Sequence, residues 1–169
     1  MAAQQCLVII KPDGLIKSLT GNVITAFSET KLKIVGAKVM KAKKELLEKH
    51  YAQLKEKKPH IYEETISYMM GRYHTDRVMA LVYHGDNAID KVREICGSTN
   101  PEDANPVTIR GKYGRINSKT HVFENVVHAS DSEAAAEREI KLWFAPYELT
   151  ETIYPTKTEN ISSPVLIWK

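Results

Sequence analysis

Four short apolar runs, Cys6–Lys11, Leu32–Met40, Arg77–Tyr83 and Val126–Ala129, frame this chain, because turn residues or helically spaced segments separate them. Pro12-Asp13-Gly14 turns the chain after the first run. Within Leu19–Phe27, Val23, Ile24 and Phe27 recur at helical spacing, whereas Leu32, Ile34, Val35, Ala37 and Val39 follow a mostly period-two pattern. Leu46, Leu47, His50, Tyr51 and Leu54 share one helical stripe over Glu45–Lys55, and a second short helix is expected over Ile61–Met70. Asp86-Asn87 is placed to cap a helix with inner stripe Ile89, Val92, Ile95 and Cys96, and Gly97 stands where helices commonly stop. Ser130-Asp131-Ser132-Glu133 carries a capping-box pattern and opens a helix through Ile140, Trp143 and Phe144.

The resulting order, β-α-β-(α-α)-β-α-loop-β-α, is the split pattern of a ferredoxin-like α+β sandwich, a four-stranded antiparallel sheet covered by helices. A doubly wound parallel sheet is the alternative, and the short turns after the second strand fit it less well. The 169 residues suit one domain spanning 1–169, with an irregular tail from about Pro146. The long polar segment Ser98–Glu124, which contains Pro101, Pro106, Gly111 and Gly114, is of a kind more often functional than idle.

Composition removes several classes. With 43% hydrophobic and 27% charged residues the chain is neither disordered nor fibrous, and its net charge of +3 suits an anionic partner without demanding one. The longest uncharged apolar runs, Cys6–Ile10 and Val165–Trp168, fall short of the roughly 18 residues of a membrane span. Met1–Gln5 has no basic segment followed by an apolar stretch, so the expected compartment is cytoplasmic, with Cys6 and Cys96 reduced. The phosphate loop Gly-x4-Gly-Lys-Ser/Thr, the dinucleotide Gly-x-Gly-x-x-Gly, His-Glu-x-x-His and Gly-x-Ser-x-Gly are all missing. The lysines from Lys41 to Lys58 are interrupted by Glu45, Glu48 and Glu56, which reads as a solvated face rather than a nucleic-acid stripe.

What remains is a set of cations and one histidine. His128 ends a short strand just before a helix start, and Glu139 lies on the side of that helix shared with Ala136, Ile140 and Trp143. A carboxylate directed at the core needs a partner, and an imidazole held by a carboxylate is oriented and made more nucleophilic. The blander reading is a core histidine capped by a glutamate. Lys11 ends the first strand, from which a long cation reaches a site at the strand ends. Arg93, Thr99 and Arg110 supply two guanidiniums and a hydroxyl of the kind that grips a polyphosphate, although either arginine alone reads as a surface ion-pair former. Tyr51 by itself reads as a core tyrosine.

Taken together, Ile10-Lys11-Pro12-Asp13-Gly14, His50-Tyr51, Gly97-Ser98-Thr99-Asn100-Pro101, Thr108-Ile109-Arg110-Gly111, Asn125-Val126-Val127-His128-Ala129-Ser130-Asp131-Ser132 and Glu139-Ile140-Lys141-Leu142-Trp143-Phe144 resemble the nucleoside diphosphate kinase family, in order, from residue 6 to about 150. The resemblance implies ping-pong transfer of a γ-phosphate from a nucleoside triphosphate (ATP) through a phosphohistidine on His128 to a nucleoside diphosphate, maintaining nucleotide pools. It implies that Glu139 orients His128, that Ser130 supports both, and that Lys11 and Tyr51 lie near the phosphate in transfer. Arg93, Thr99 and Arg110 would hold phosphates, and Asn125 with Lys11 the ribose. Mg2+ would arrive on the nucleotide rather than in a protein metal site. The resemblance further implies a homo-oligomer, a hexamer ahead of a tetramer, with neither a membrane nor a specific nucleic acid as partner.

Three departures stand out. The family's base-stacking aromatic follows a proline near Pro59, where this chain has Pro59-His60-Ile61-Tyr62, leaving His60 or Tyr62 for that role opposite Val122. Gly71–Arg77 and Gly111–His121 are each a few residues longer than usual. Strict strand alternation also sends Asn125 and His128 to opposite faces, so the backbone between them must twist or bulge if both serve one site. A nucleic-acid-binding module would need an aromatic-rich central strand, absent from Cys6–Lys11 and Val126–Ala129. A non-catalytic nucleotide-binding homologue would lack the histidine or one of the cations.

Overall fold

The computed structural model describes residues 3–160; Met1, Ala2 and the tail 161–169, with its run Val165–Trp168, lie outside the described residues. Strand β1 (Ala3–Ile10) is central, and Cys6 to Ile10 are completely buried. It pairs antiparallel with β3 (Arg77–Asp86) on one side and β6 (Val127–Ala129) on the other, while β2 (Lys33–Lys41) flanks β3, giving the order β2-β3-β1-β6. This is the expected four-stranded antiparallel sheet of an α+β sandwich.

A strand buried on both faces needs cover on both. Leu7 and Ile9 pack with Leu47 of α3 (Lys44–His50), Ile66 of α5 (Pro59–Met69) and Ile140 and Trp143 of α8 (Glu133–Trp143). Cys6, Val8 and Ile10 face the opposite way, onto Val23 and Phe27 of α2 (Thr20–Ser28), Val92 and Cys96 of α6 (Ala88–Cys96) and Ile109 of α7 (Ile109–Tyr113). Both thiols are buried, which pushes Cys6 up to about 12 and Cys96 up to about 11, so neither is a nucleophile near neutral pH.

Local differences from the sequence reading have physical causes. Pro12-Asp13-Gly14 is the first turn of a short helix, α1 (Pro12–Ile16), with proline at the position where its missing N–H is no loss. The single helix expected over Glu45–Lys55 divides at Tyr51 into α3 and α4 (Ala52–Lys57). Since α4 buries none of its side chains, packing does not hold it on the axis of α3. Ser132, not Ser130, caps α8, accepting the Ala135 N–H at 3.2 Å, so the capping-box pattern is not used. The segment Ser98–Glu124 contains a 3-10 turn (Pro101–Asp103), α7, and a hairpin of β4 (Arg115–Ile116) and β5 (Phe123–Glu124), strands too short for periodicity to reveal.

Candidate functional site

On β6, His128 sits opposite Ile9, so both face the layer of α3 and α8. Its Nε2 lies 3.0 Å from Glu139 Oε2, and the Ser130 hydroxyl donates to the same oxygen at 2.7 Å. Ser130 also accepts the Leu7 N–H at 3.1 Å, which ties this pair to the central strand. Burial raises the Glu139 carboxyl, but hydrogen bonding from His128, the adjacent His128 and His50 imidazoles, and the Ser130 hydroxyl outweigh it and bring Glu139 down to about 2. An ionised carboxylate facing Nε2 fixes the proton there, so His128 keeps its Nδ1 lone pair free. The Trp143 indole donates to His50 Nδ1 at 3.1 Å, and the His50 ring stands edge-on to His128 with centroids 4.5 Å apart. Burial, then the neighbouring His128, holds His50 well below the usual histidine range, so it is a neutral wall against the nucleophile.

The alternation problem is solved at one residue. Val126 has φ +69°, and the Val127 N–H donates to the Asn125 carbonyl at 2.7 Å, which makes a γ-turn of the rare, strained hand. A β-branched residue takes that conformation only when its surroundings enforce it. Here the Val126 N–H donates to Asp13 Oδ2 at 3.1 Å and its carbonyl accepts the Lys11 N–H at 2.8 Å. Asp13 is fully buried, and its other oxygen accepts the Tyr68 hydroxyl. A Cβ on Gly14 would come 2.9 Å from Ile10 Cγ2 and 3.0 Å from Val126 Cγ1, so a larger residue there would push on the turn. Because the chain reverses at Val126, Asn125 and His128 line the same cavity.

That cavity, about 350 Å³, also receives Lys11, Tyr51, Arg93, Thr99 and Arg110. Lys11 donates from Nζ to Asn125 Oδ1 at 2.6 Å, and Asn125 donates from Nδ2 to the Thr99 carbonyl at 2.6 Å. Burial, against the partial compensation of Asp13 and with added repulsion from Arg110, lowers Lys11 to about 8. Arg110 is buried and braces the strand, donating to the Val127 carbonyl at 3.1 and 3.3 Å and the Gly97 carbonyl at 2.8 Å. Arg93 is exposed and has no ion-pair partner among the described residues. The Tyr51 hydroxyl is buried without a partner among the described residues, an orphan that a ligand oxygen would satisfy. Burial pushes that phenol above its usual range.

The apolar part of the wall away from His128 includes Leu54, Ile61, Val122 and Phe123. Val122 lines the cavity, but neither His60 nor Tyr62 does. His60 is exposed, and Tyr62 is buried in the core with Lys55 over its ring. Ile61, between them on α5, takes the wall position. Among the lining residues the one carboxylate is Asp131, so the cavity lacks the oxygen set a hard cation such as Mg2+ requires. The ligand atoms of His50, His128 and Glu139 lie within 4.8 Å of one another, but these groups are engaged in the hydrogen bonds and ring packing already described. No helix among the described residues is long and apolar enough to cross a membrane.

Residues 4–149 match the family model described as nucleoside diphosphate kinase. Proteins of that name from Pyrococcus horikoshii (42% identical over 152 residues, 90% of each chain) and Desulfitobacterium hafniense (40% over 148 residues, 88% of this chain and 92% of the other) are among its relatives. A nucleoside-diphosphate kinase from Borrelia burgdorferi, solved as a transition-state mimic with vanadate and ADP, superposes with a TM-score of 0.79 at 33% identity, covering 93% of this chain and 94% of the other. An NDP kinase from Pyrobaculum aerophilum gives 0.77 at 29% identity, covering 89% and 100%. The matched length, the shared fold and the relatives' identity agree: the chain belongs to the nucleoside diphosphate kinase family.

Proposed function

We propose that this protein is a nucleoside diphosphate kinase in which His128 Nδ1 attacks the γ-phosphorus of a nucleoside triphosphate. The P–O bond to the departing nucleoside diphosphate breaks, and a second nucleoside diphosphate later takes the phosphate from the phosphohistidine. The observation that carries this reading is the imidazole held at Nε2 by an ionised carboxylate at 3.0 Å, at the wall of a cavity otherwise rich in cations. Phosphoryl transfer asks a protein mainly to position groups and to offset charge on the equatorial oxygens.

Lys11, Arg93, Arg110 and Thr99 are suited to the phosphates, and the orphan Tyr51 hydroxyl to the phosphate in transfer. Asn125, oriented by Lys11, is suited to the ribose. Glu139 orients His128 and Ser130 supports Glu139. Mg2+ belongs to the substrate: bound on the nucleotide's phosphates, it neutralises their charge. The walls of Leu54, Ile61, Val122 and Phe123 take the base without an aromatic stack on α5, compatible with broad base use.

As a single domain over 1–169, the protein is read as cytosolic and as a homo-oligomer, a hexamer ahead of a tetramer. Edge strand β2 supports self-association, with Val39 59% and Ile34 42% exposed. Light scattering gives the assembly mass directly. Initial rates with ATP and GDP varied together should give parallel reciprocal plots, whereas intersecting plots would mean direct transfer without a phosphoenzyme.

A further inference from the structure

The two longer-than-usual segments meet each other. His74 lies in the turn between α5 and β3, and Arg115, Asn117 and Glu124 belong to the β4–β5 hairpin and its loop. Glu124 is 1% exposed, and a buried carboxylate is costly unless donors surround it. Arg115 Nε donates to it at 2.6 Å and Asn117 Nδ2 at 2.8 Å. His74 Nε2 lies 3.1 Å from Oε1, the oxygen Asn117 already donates to, off the hydrogen-bond direction and without another partner among the described residues, so the contact is one of charge and packing. Burial alone would raise the Glu124 carboxyl, but these three groups more than offset that and hold it below the usual carboxylate range.

Each donor also organises something else. Asn117 Oδ1 accepts the backbone N–H groups of Lys119 at 3.0 Å and Thr120 at 3.1 Å, so the amide that binds Glu124 also shapes the loop. The strand end of that loop presents His121, Val122 and Phe123 to the cavity, and Glu124 is followed directly by Asn125. The His74 ring meets the Tyr68 ring edge-on at 6.1 Å, and Tyr68 holds Asp13 beneath the γ-turn. The hairpin wall of the cavity therefore meets, at a single buried carboxylate, the ring of a histidine from a turn that does not itself line the cavity.

We propose that Glu124 and His74 are positioning residues for nucleotide binding: the pair locks the β4–β5 hairpin so that Val122, Phe123 and Asn125 are held against base and ribose. This rests on the kinase reading for the identity of the ligand. It places the effect on binding and not on transfer, because His128, Glu139 and Ser130 are fixed from β1 and α8 rather than from the hairpin.

The test compares unaltered protein with His74→Ala, His74→Gln and Glu124→Gln, using calorimetric binding of Mg-ADP and single-turnover phosphorylation at saturating Mg-ATP. His74→Ala and Glu124→Gln are expected to weaken Mg-ADP binding about tenfold, the scale of one charge-assisted contact, with the saturated rate within about twofold of the original. His74→Gln, whose amide donates where the imidazole Nε2 stands, should recover most of the affinity. An unchanged dissociation constant in His74→Ala overturns the proposal. So does a parallel loss of affinity, saturated rate and thermal midpoint that His74→Gln fails to recover. Turnover of the unaltered protein tests the kinase reading separately, and the binding comparison decides the lock whichever way that falls.

Discussion

Asp13→Ala is expected to damage function more than stability. The substitution removes the acceptor of two buried donors, the Val126 N–H at 3.1 Å and the Tyr68 hydroxyl. Leaving both unsatisfied costs about 1–3 kcal/mol each, or about 2–6 kcal/mol together. Relaxation of Val126 out of φ +69° returns about 1–3 kcal/mol of backbone strain, so the net loss centres on about 2 kcal/mol, which a domain of ordinary stability survives. Once relaxed, however, the turn no longer aims Asn125, and Lys11 bound to it, into the cavity that His128 lines, so the substrate's phosphate is misplaced against the imidazole. Misplacement of about 1 Å at a reacting centre costs about a hundredfold in rate. The assay pairs urea unfolding with single-turnover phosphorylation from Mg-ATP. Asp13→Asn, which still accepts from Val126, should retain most of the rate. In the Asp13→Ala background, Val126→Gly should recover more rate than Val126→Ala, since both lose the same packing and only glycine enters positive φ without strain. Destabilisation of Asp13→Ala with an unchanged phosphorylation rate, or equal behaviour of the glycine and alanine variants, would refute the reasoning.

Further outcomes follow from the same geometry. Because burial lowers Lys11 to about 8 and its cationic form binds Asn125 and phosphate, kcat/KM should fall as pH rises through about 8, with kcat falling at higher pH once phosphate is bound; a flat profile to pH 10 would contradict this. Arg110→Ala should lose about 2–4 kcal/mol of stability as well as triphosphate affinity, since its guanidinium satisfies the Val127 and Gly97 carbonyls; denaturant midpoints unchanged from the parent would refute that bracing role. His50 is neutral when folded but takes a proton near 6.5 when unfolded, so its contribution is complete above that value and lost as pH falls below it. Glu139, ionised down to about 2, gives a contribution complete above about 4.5 that disappears as pH falls towards 2. Urea midpoints between pH 8 and 4 should therefore decline for the parent and decline less steeply for His50→Gln.

The sequence was legible where a pattern is local. Period-two and helical runs located the four main strands and most helices, and the inward side of α8 pointed Glu139 at His128. Asp13 was read only as a turn residue, because its partner Val126 lies 113 positions away and a valine at positive φ contradicts its own propensity. The need for a bulge or twist between Asn125 and His128 was visible, but its form was not. Ile61 is not legible as a wall residue from sequence, because a stacking role points to the rings of His60 and Tyr62, whose directions depend on how α5 rotates against the sheet. The Glu124 cluster joins residues whose spacing carries no periodicity, so only the folded chain brings His74 to the hairpin.

Phosphorylation of His128 itself is open to direct measurement by intact mass spectrometry after incubation with Mg-ATP and no acceptor, repeated on His128→Ala, then after GDP is added. The expected result is one acid-labile phosphate on the parent, none on His128→Ala, and its disappearance as GTP forms. A phosphate that persists in His128→Ala, or GTP formed with no phosphorylated protein at any time, would contradict the mechanism.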